Sequence, residues 1–164
     1  MAGAIEESLI GRLRELADKD EIRDVVYRRA KATDRRDLEL ALSCYHPDAT
    51  EDHEGFDGPV TEYLAGASPV FLGTSPVEVG VHLIGNVEIE LDGDRAAVES
   101  VFVCTLTANE NGLRREFINT GRYVDDFAKR DGRWAISRRR CVYEWSHGAE
   151  PTERWWSRSM PASS

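Results

Sequence analysis

The chain has 164 residues, 41% of them apolar and 31% charged, and a net charge of −9; this is the balance of a globular protein with one core. The acidity excludes a general nucleic-acid binder and gives no basic field for an anionic membrane surface. Cys44, Cys104 and Cys141 are odd in number and form no C-x-x-C pair, so reduced thiols of a cytoplasmic protein are expected, not a disulfide framework or a thiolate metal site.

The N-terminus, Met1-Ala2-Gly3-Ala4-Ile5-Glu6-Glu7, has no basic region followed by an apolar run, so no signal peptide is expected. No apolar run approaches membrane-spanning length. Ile10, Leu13 and Leu16 recur at helical spacing and predict a short amphipathic helix over 5–17. Asp18-Lys19-Asp20-Glu21 has the form of a capping box, which predicts a second helix with Ile22, Val26, Ala30 and Thr33 along one face. Tyr27 and Asp34 are seven apart and share a side of that helix. Asp37 is placed to cap a third helix carrying Leu38, Ala41, Leu42 and Tyr45, which Pro47 ends. Residues 49–53 read as a short strand, Asp57-Gly58 as a turn and 60–72 as another short helix.

From residue 80 the pattern changes. Asp92-Gly93, Asn111-Gly112 and Asp131-Gly132 supply the positive φ angles of tight hairpin turns. They divide segments rich in β-branched and aromatic residues into four antiparallel strands, roughly 80–91, 95–108, 114–128 and 133–146. Helices first and a curved sheet after define an α+β domain over 1–147, followed by a tail, 148–164, that carries Trp155-Trp156.

The polar residues on these elements hold the chemical information. Alternation puts His82, Ile84 and Asn86 on one face of the strand 80–91. A histidine on a mostly apolar strand needs a partner where it is buried. An aspartate on one ring nitrogen leaves the other available as a base, and on the residues alone a structural histidine stands beside that reading. Asp52, His53 and Glu54 are adjacent, which is poor geometry for converging on a metal, so no metal site is expected there. Trp134, Phe102 and Phe117 read as core. His46, before Pro47 at a helix end, reads as structural.

Several motifs together resemble the SnoaL-like branch of the nuclear-transport-factor-two-like superfamily. They are Ala32-Thr33-Asp34-Arg35-Arg36-Asp37, Cys44-Tyr45-His46-Pro47-Asp48-Ala49-Thr50, Val81-His82-Leu83-Ile84-Gly85-Asn86, Gly121-Arg122-Tyr123 and Asp131-Gly132-Arg133-Trp134-Ala135-Ile136, and the likeness spans about residues 10–147. The branch includes polyketide cyclases, scytalone dehydratase and hexachlorocyclohexane dehydrochlorinase. The resemblance implies a cone-shaped curved antiparallel sheet packed against N-terminal helices, with a ligand-sized pocket between them. In dehydratase-like and dehydrochlorinase-like members, an aspartate ending the long helix pairs with a histidine opening the first long strand; Asp34 and His82 match those positions. The implied roles are His82 as general base and Asp34 as its orienting partner.

Further positions follow from the same resemblance. Arg29 stands where the dehydrochlorinase has a lysine, and a guanidinium suits an anionic leaving group or developing oxyanion but is a poor proton donor. Arg139, in Arg138-Arg139-Arg140, matches that enzyme's arginine on the last strand. Tyr27 and Tyr45 stand for the tyrosines by which scytalone dehydratase holds water, while its second strand histidine has no counterpart between His82 and His147. His53 falls where ketosteroid isomerase places its base, and Asn86 shares the His82 face. The function so implied is a cofactor-independent lyase or isomerase, of dehydratase, dehydrohalogenase or cyclase type, acting on a small apolar cyclic or polyketide-like compound. It would work as a homodimer or homotrimer. Two other readings share the fold: a non-catalytic β-subunit of an aromatic-ring-hydroxylating dioxygenase, and a small-molecule-binding module.

Overall fold

The computed structural model describes residues 2–110 and 113–148. The expected Asn111-Gly112 turn and the tail from residue 149 on, Trp155-Trp156 with it, lie outside the described residues.

One helix, α1 (Ala2–Arg35), replaces the two expected for 5–17 and from Asp18 onward. The capping signal at Asp18 goes unused because its carboxylate is engaged elsewhere. Oδ1 accepts from Lys129 Nζ at 2.7 Å and from the buried Trp134 Nε1 at 2.8 Å, fastening mid-helix to the sheet. Beyond that point Ile22, Val25, Val26 and Ala32 are buried, while Ile5, Leu9, Leu13 and Leu16 near the start stay exposed. α1 ends at Arg36, whose φ of 55° breaks the helical path. Asp37 then caps α2 (Leu38–Ser43), accepting from the Leu40 N–H at 2.9 Å.

Tyr45, expected on that helix, instead opens β1 (Tyr45–His53). The sheet captures it: the Cys44 carbonyl accepts from the Ile136 N–H at 3.0 Å, and Tyr45 pairs with Ile136. β2 (Phe56–Pro59) folds back on β1. The predicted helix over 60–72 is broken into α3 (Val60–Glu62), a π turn (Tyr63–Ala67) and α4 (Pro69–Leu72), consistent with Gly66 and Pro69 inside it. Four long strands follow: β3 (Val77–Asp92), β4 (Arg95–Glu110), β5 (Leu113–Arg130) and β6 (Arg133–His147).

The sheet order is β2-β1-β6-β5-β4-β3. β3 to β6 form the predicted antiparallel meander, and Gly93, Asp131 and Gly132 adopt positive φ at its turns. β1 joins β6 in parallel, a pairing with no local turn to announce it. Register shifts at Gly85/Glu88, Thr120/Gly121 and Asp126/Phe127 are the bulges that bend a sheet of this length. Gly121 lets neighbouring strands of the sheet approach at a bulge: a Cβ there would sit 2.1 Å from the Val142 carbonyl oxygen and 2.7 Å from the Phe102 ring. The result is the expected α+β architecture, a curved, unclosed and mostly antiparallel sheet packed against the N-terminal helices. Val98, Phe127, Trp134 and Ile136 pack from the sheet into one core with Ile22 and Val26 of α1.

Candidate active site

Asp34, in the last turn of α1, meets His82 near the start of β3. His82 Nδ1–H donates to Asp34 Oδ1 at 2.6 Å. The backbone N–H of His82 also donates to the same carboxylate, at 3.1 Å to Oδ1 and 3.2 Å to Oδ2. The carboxylate is thus fixed by the strand and fixes the ring. With Nδ1 carrying the proton, Nε2 presents its lone pair. No hydrogen bond among the described residues engages Nε2, and His82 lines a cavity of about 140 Å³. A space of that scale admits one small ring.

The register shows how the sheet brings distant residues to this cavity. His82 pairs with Cys104 and Cys104 with Asn119, one row across β3, β4 and β5. All three line the cavity, and Asn119 is buried with no partner for its Oδ1 among the described residues. Burial, with Asp34 and Cys141 adding to it, pushes the Cys104 thiol up to about 12, so it stays protonated and unreactive.

A second histidine–carboxylate pair lines the same cavity. On β1, residues 51 and 53 share a face. His53 Nδ1 lies 3.3 Å from Glu51 Oε1, and its Nε2 lies 3.2 Å from the Tyr143 hydroxyl. Its ring stacks on Tyr63 with centroids 4.8 Å apart. Glu51 is fully buried yet held below the usual carboxylate range: burial opposes its charge, but the His53 hydrogen bond, Arg29 and Arg139 outweigh burial. Burial likewise opposes a charge on His53, but Cys141 and Glu51 outweigh it and push the imidazole up to about 10.

Arginines support this wall from beneath. Arg29 Nε–H donates to the Tyr45 hydroxyl at 2.9 Å, and that hydroxyl donates to Glu51 Oε2 at 2.6 Å. Arg29 also donates to Thr33 Oγ1 and reaches the cavity wall. Its charge is opposed by burial but favoured more by Tyr45 and Glu51, so it remains a cation. Arg139 is buried below the cavity with its guanidinium clamped on Asp125 at 2.8 and 2.7 Å and stacked 4.2 Å from the Tyr123 ring centre. Burial holds the phenols of Tyr63, Tyr123 and Tyr143 well above their usual range, so the cavity is ringed by neutral O–H groups.

Of the residues singled out from the sequence, Asp34, His82, His53 and Arg29 come together at the cavity. Tyr45 and Arg139 lie behind its wall and hold Glu51 and Asp125. Two do not reach it. Tyr27 is 47% exposed: it lies about 10 Å along the helix axis from Asp34, where the helix faces outward. Asn86 is exposed because the bulge after Gly85 puts it at φ 48°, and the inward positions shift to Val87, Ile89 and Leu91. Plain alternation from His82 misses that one-residue shift. Glu51, Asn119, Tyr63, Tyr123 and Tyr143 were not singled out. Alternation on β1 pairs Glu51 with His53, so that residue was within reach of sequence reasoning; the others depend on long-range register. Among the described residues no group of three His, Cys, Asp or Glu side chains is placed to hold a metal ion, and no helix is long and apolar enough to cross a membrane.

A family model described as a SnoaL-like domain matches residues 14–140. The chain belongs to the SnoaL-like family, in the nuclear-transport-factor-two-like superfamily. It is similar to the uncharacterised protein Rv2910c of Mycobacterium tuberculosis, 29% identical over 143 residues, 85% of this chain and 93% of that one. Among solved structures it is similar to a candidate scytalone dehydratase of Novosphingobium aromaticivorans, with TM-score 0.72 and 19% identity over 83% of this chain and 90% of that one. The hexachlorocyclohexane dehydrochlorinase LinA-type3 of Novosphingobium barchaimii gives TM-score 0.71 and 18% identity over 85% and 95%. The β-subunit of a candidate aromatic-ring-hydroxylating dioxygenase of N. aromaticivorans gives 0.61 and 23% over 80% and 92%. At these identities the structural matches establish the fold.

Proposed function

We propose that this protein is a lyase or isomerase that removes a proton from a small, largely apolar cyclic or polyketide-like compound, with His82 as the base and Asp34 as its orienting carboxylate. One observation carries the reading: Nδ1 is committed to Asp34 at 2.6 Å while the opposite nitrogen belongs to a cavity wall. The carboxylate selects the tautomer and stabilises the imidazolium formed when the proton arrives. Arg29 and the neutral phenols are the candidates for stabilising charge that develops on a substrate oxygen. These side chains suffice for the proton transfer itself. A dehydratase and a dehydrochlorinase among its structural neighbours support this class.

The outer sheet face supports self-association. Leu83, Val103, Thr120 and Trp145 form one row across four strands, and Leu83 and Trp145 are 70% and 53% exposed. A homodimer or homotrimer would cover this row.

The test is solvent exchange. Cyclic ketones incubated with the protein in D2O should gain deuterium next to the carbonyl, read by NMR, and His82→Ala should lower that rate at least about a hundredfold. Exchange at equal rates with and without His82 sinks the proposal. Tight binding without any exchange leaves the binding-module reading, and co-purification with an iron–sulfur partner leaves the subunit reading.

A further inference from the structure

We infer that Tyr143, hydrogen-bonded to His53, is a further catalytic residue of this cavity: its hydroxyl protonates a departing oxygen while His82 takes the carbon-bound proton, and His53, braced by Glu51, restores the phenol's proton. The inference rests on the reading of His82 as the base.

Two histidine–carboxylate pairs approach one cavity from opposite ends of the sheet. His82 is on β3 and His53 on β1, with β4, β5 and β6 between them. Curvature turns both inward. A run of ring contacts joins them through Phe102, buried behind the cavity wall: His82 to Phe102 at 6.3 Å, Phe102 to Tyr143 at 5.6 Å, and Tyr143 to His53 at 5.8 Å. His82, His53 and Tyr143 all line the one cavity, which admits a single small ring.

The pairs differ in setting. The Asp34 side chain is 24% exposed and also serves the His82 backbone, whereas the Glu51 side chain is 1% exposed and has Arg29 and Tyr45 behind it. A carboxylate buried that deeply keeps its charge only with cations against it, and His53 is the one it touches on the cavity side. An imidazolium there has N–H on both nitrogens, one directed at Glu51 and one at the Tyr143 oxygen. Glu51 is the positioning residue. The other titratable groups facing His53 are Glu54 beside it, Tyr63 stacked on it, and Cys141 and Tyr143 from β6.

An acid in this place selects the leaving group. Chloride departs unassisted, but hydroxide is a poor leaving group and needs a proton as the carbon–oxygen bond breaks. The substrate class is therefore a cyclic β-hydroxy carbonyl compound. His82 Nε2 removes the α-proton, the C–H electron pair becomes the C=C bond, and the C–O bond breaks. The departing oxygen takes the Tyr143 hydroxyl proton and leaves as water, and the phenol oxygen takes the Nε2 proton of His53 in its place. His82 then releases its proton to solvent and His53 regains one, so the sum is loss of one water.

The experiment uses 3-hydroxycyclohexanone with the whole protein, reading α-deuterium exchange by NMR and enone formation by ultraviolet absorbance in parallel. His53→Gln should lower dehydration at least about a hundredfold more than it lowers exchange, whereas His82→Gln lowers both together. Glu51→Gln should move the same ratio in the same direction. Nitrogen NMR of the wild type should show His53 doubly protonated at about pH 8, well above an ordinary histidine. Exchange and dehydration falling in step in His53→Gln overturn the inference, as does a neutral His53 at that pH. A wild type that exchanges this and other β-hydroxy ketones but dehydrates none sinks the acid alone. One that does neither sinks the base as well.

Discussion

Asp125→Ala is the sharpest test of the buried layer beneath the cavity. Asp125 and Arg139 have side chains 0% and 2% exposed and share two short bonds, at 2.8 and 2.7 Å. Removing the carboxylate strands a guanidinium away from water, and breaking one partner of such a pair costs about 3–5 kcal/mol. That is a large part of the roughly 5–15 kcal/mol that holds a domain folded. At roughly 2–4 °C per kcal/mol for a chain of this length, Tm should fall by about 6–20 °C. The double variant Asp125→Leu/Arg139→Met removes both charges and keeps the volume, so it should recover most of the loss. Glu51 would still have Arg29 and His53 as cations. Thermal and urea unfolding of the wild type, Asp125→Ala and the double variant supply the comparison. A single variant within about 1 kcal/mol of wild type, or a double variant no more stable than the single, refutes the argument.

Gly121→Ala should cost about 3 kcal/mol or more, or prevent folding, because its Cβ would strike the Val142 carbonyl at 2.1 Å. Gly85→Ala, which meets nothing within 4 Å, should stay within about 1 kcal/mol by the same urea measurement. Asp18→Ala leaves the buried Trp134 indole N–H without its acceptor and should cost about 1–3 kcal/mol at neutral pH. Lys129 and Trp134 hold the Asp18 carboxyl below its usual range, so this stabilisation is present above the unfolded-state value and is lost as pH falls through the folded one. His53 has the opposite sign: its folded value is raised to about 10. The stability lost in His53→Gln should therefore be greatest below about pH 6.5 and vanish as pH rises through about 10.

Local signals carried most of the architecture and about half of the site. The Asp92-Gly93 and Asp131-Gly132 hairpins were legible because two adjacent residues determine a tight turn. The unbroken α1 was not: Asp18-Lys19-Asp20-Glu21 has every local mark of a cap, but Trp134 and Lys129, more than a hundred positions on, take the carboxylate. The parallel β1–β6 pairing is equally non-local, and it moved Tyr45 from helix to strand. Asp34 and His82 were legible only through resemblance, since nothing at either position names the other. Asn86 shows the limit of alternation, where one bulge residue reverses the face. Glu51 was not singled out because sequence neighbours give no measure of burial. Its role follows from Arg29, Tyr45 and His53 arriving from three elements.

The most direct test of the central claim is a crystal structure with a phenol bound as an enolate mimic, read at His82. The phenol oxygen should lie within about 2.7–3.2 Å of Nε2, with the Nδ1–Asp34 bond still in place near 2.6 Å. A phenol bound elsewhere in the cavity, or a His82 ring turned so that Nε2 meets a protein group, would contradict it.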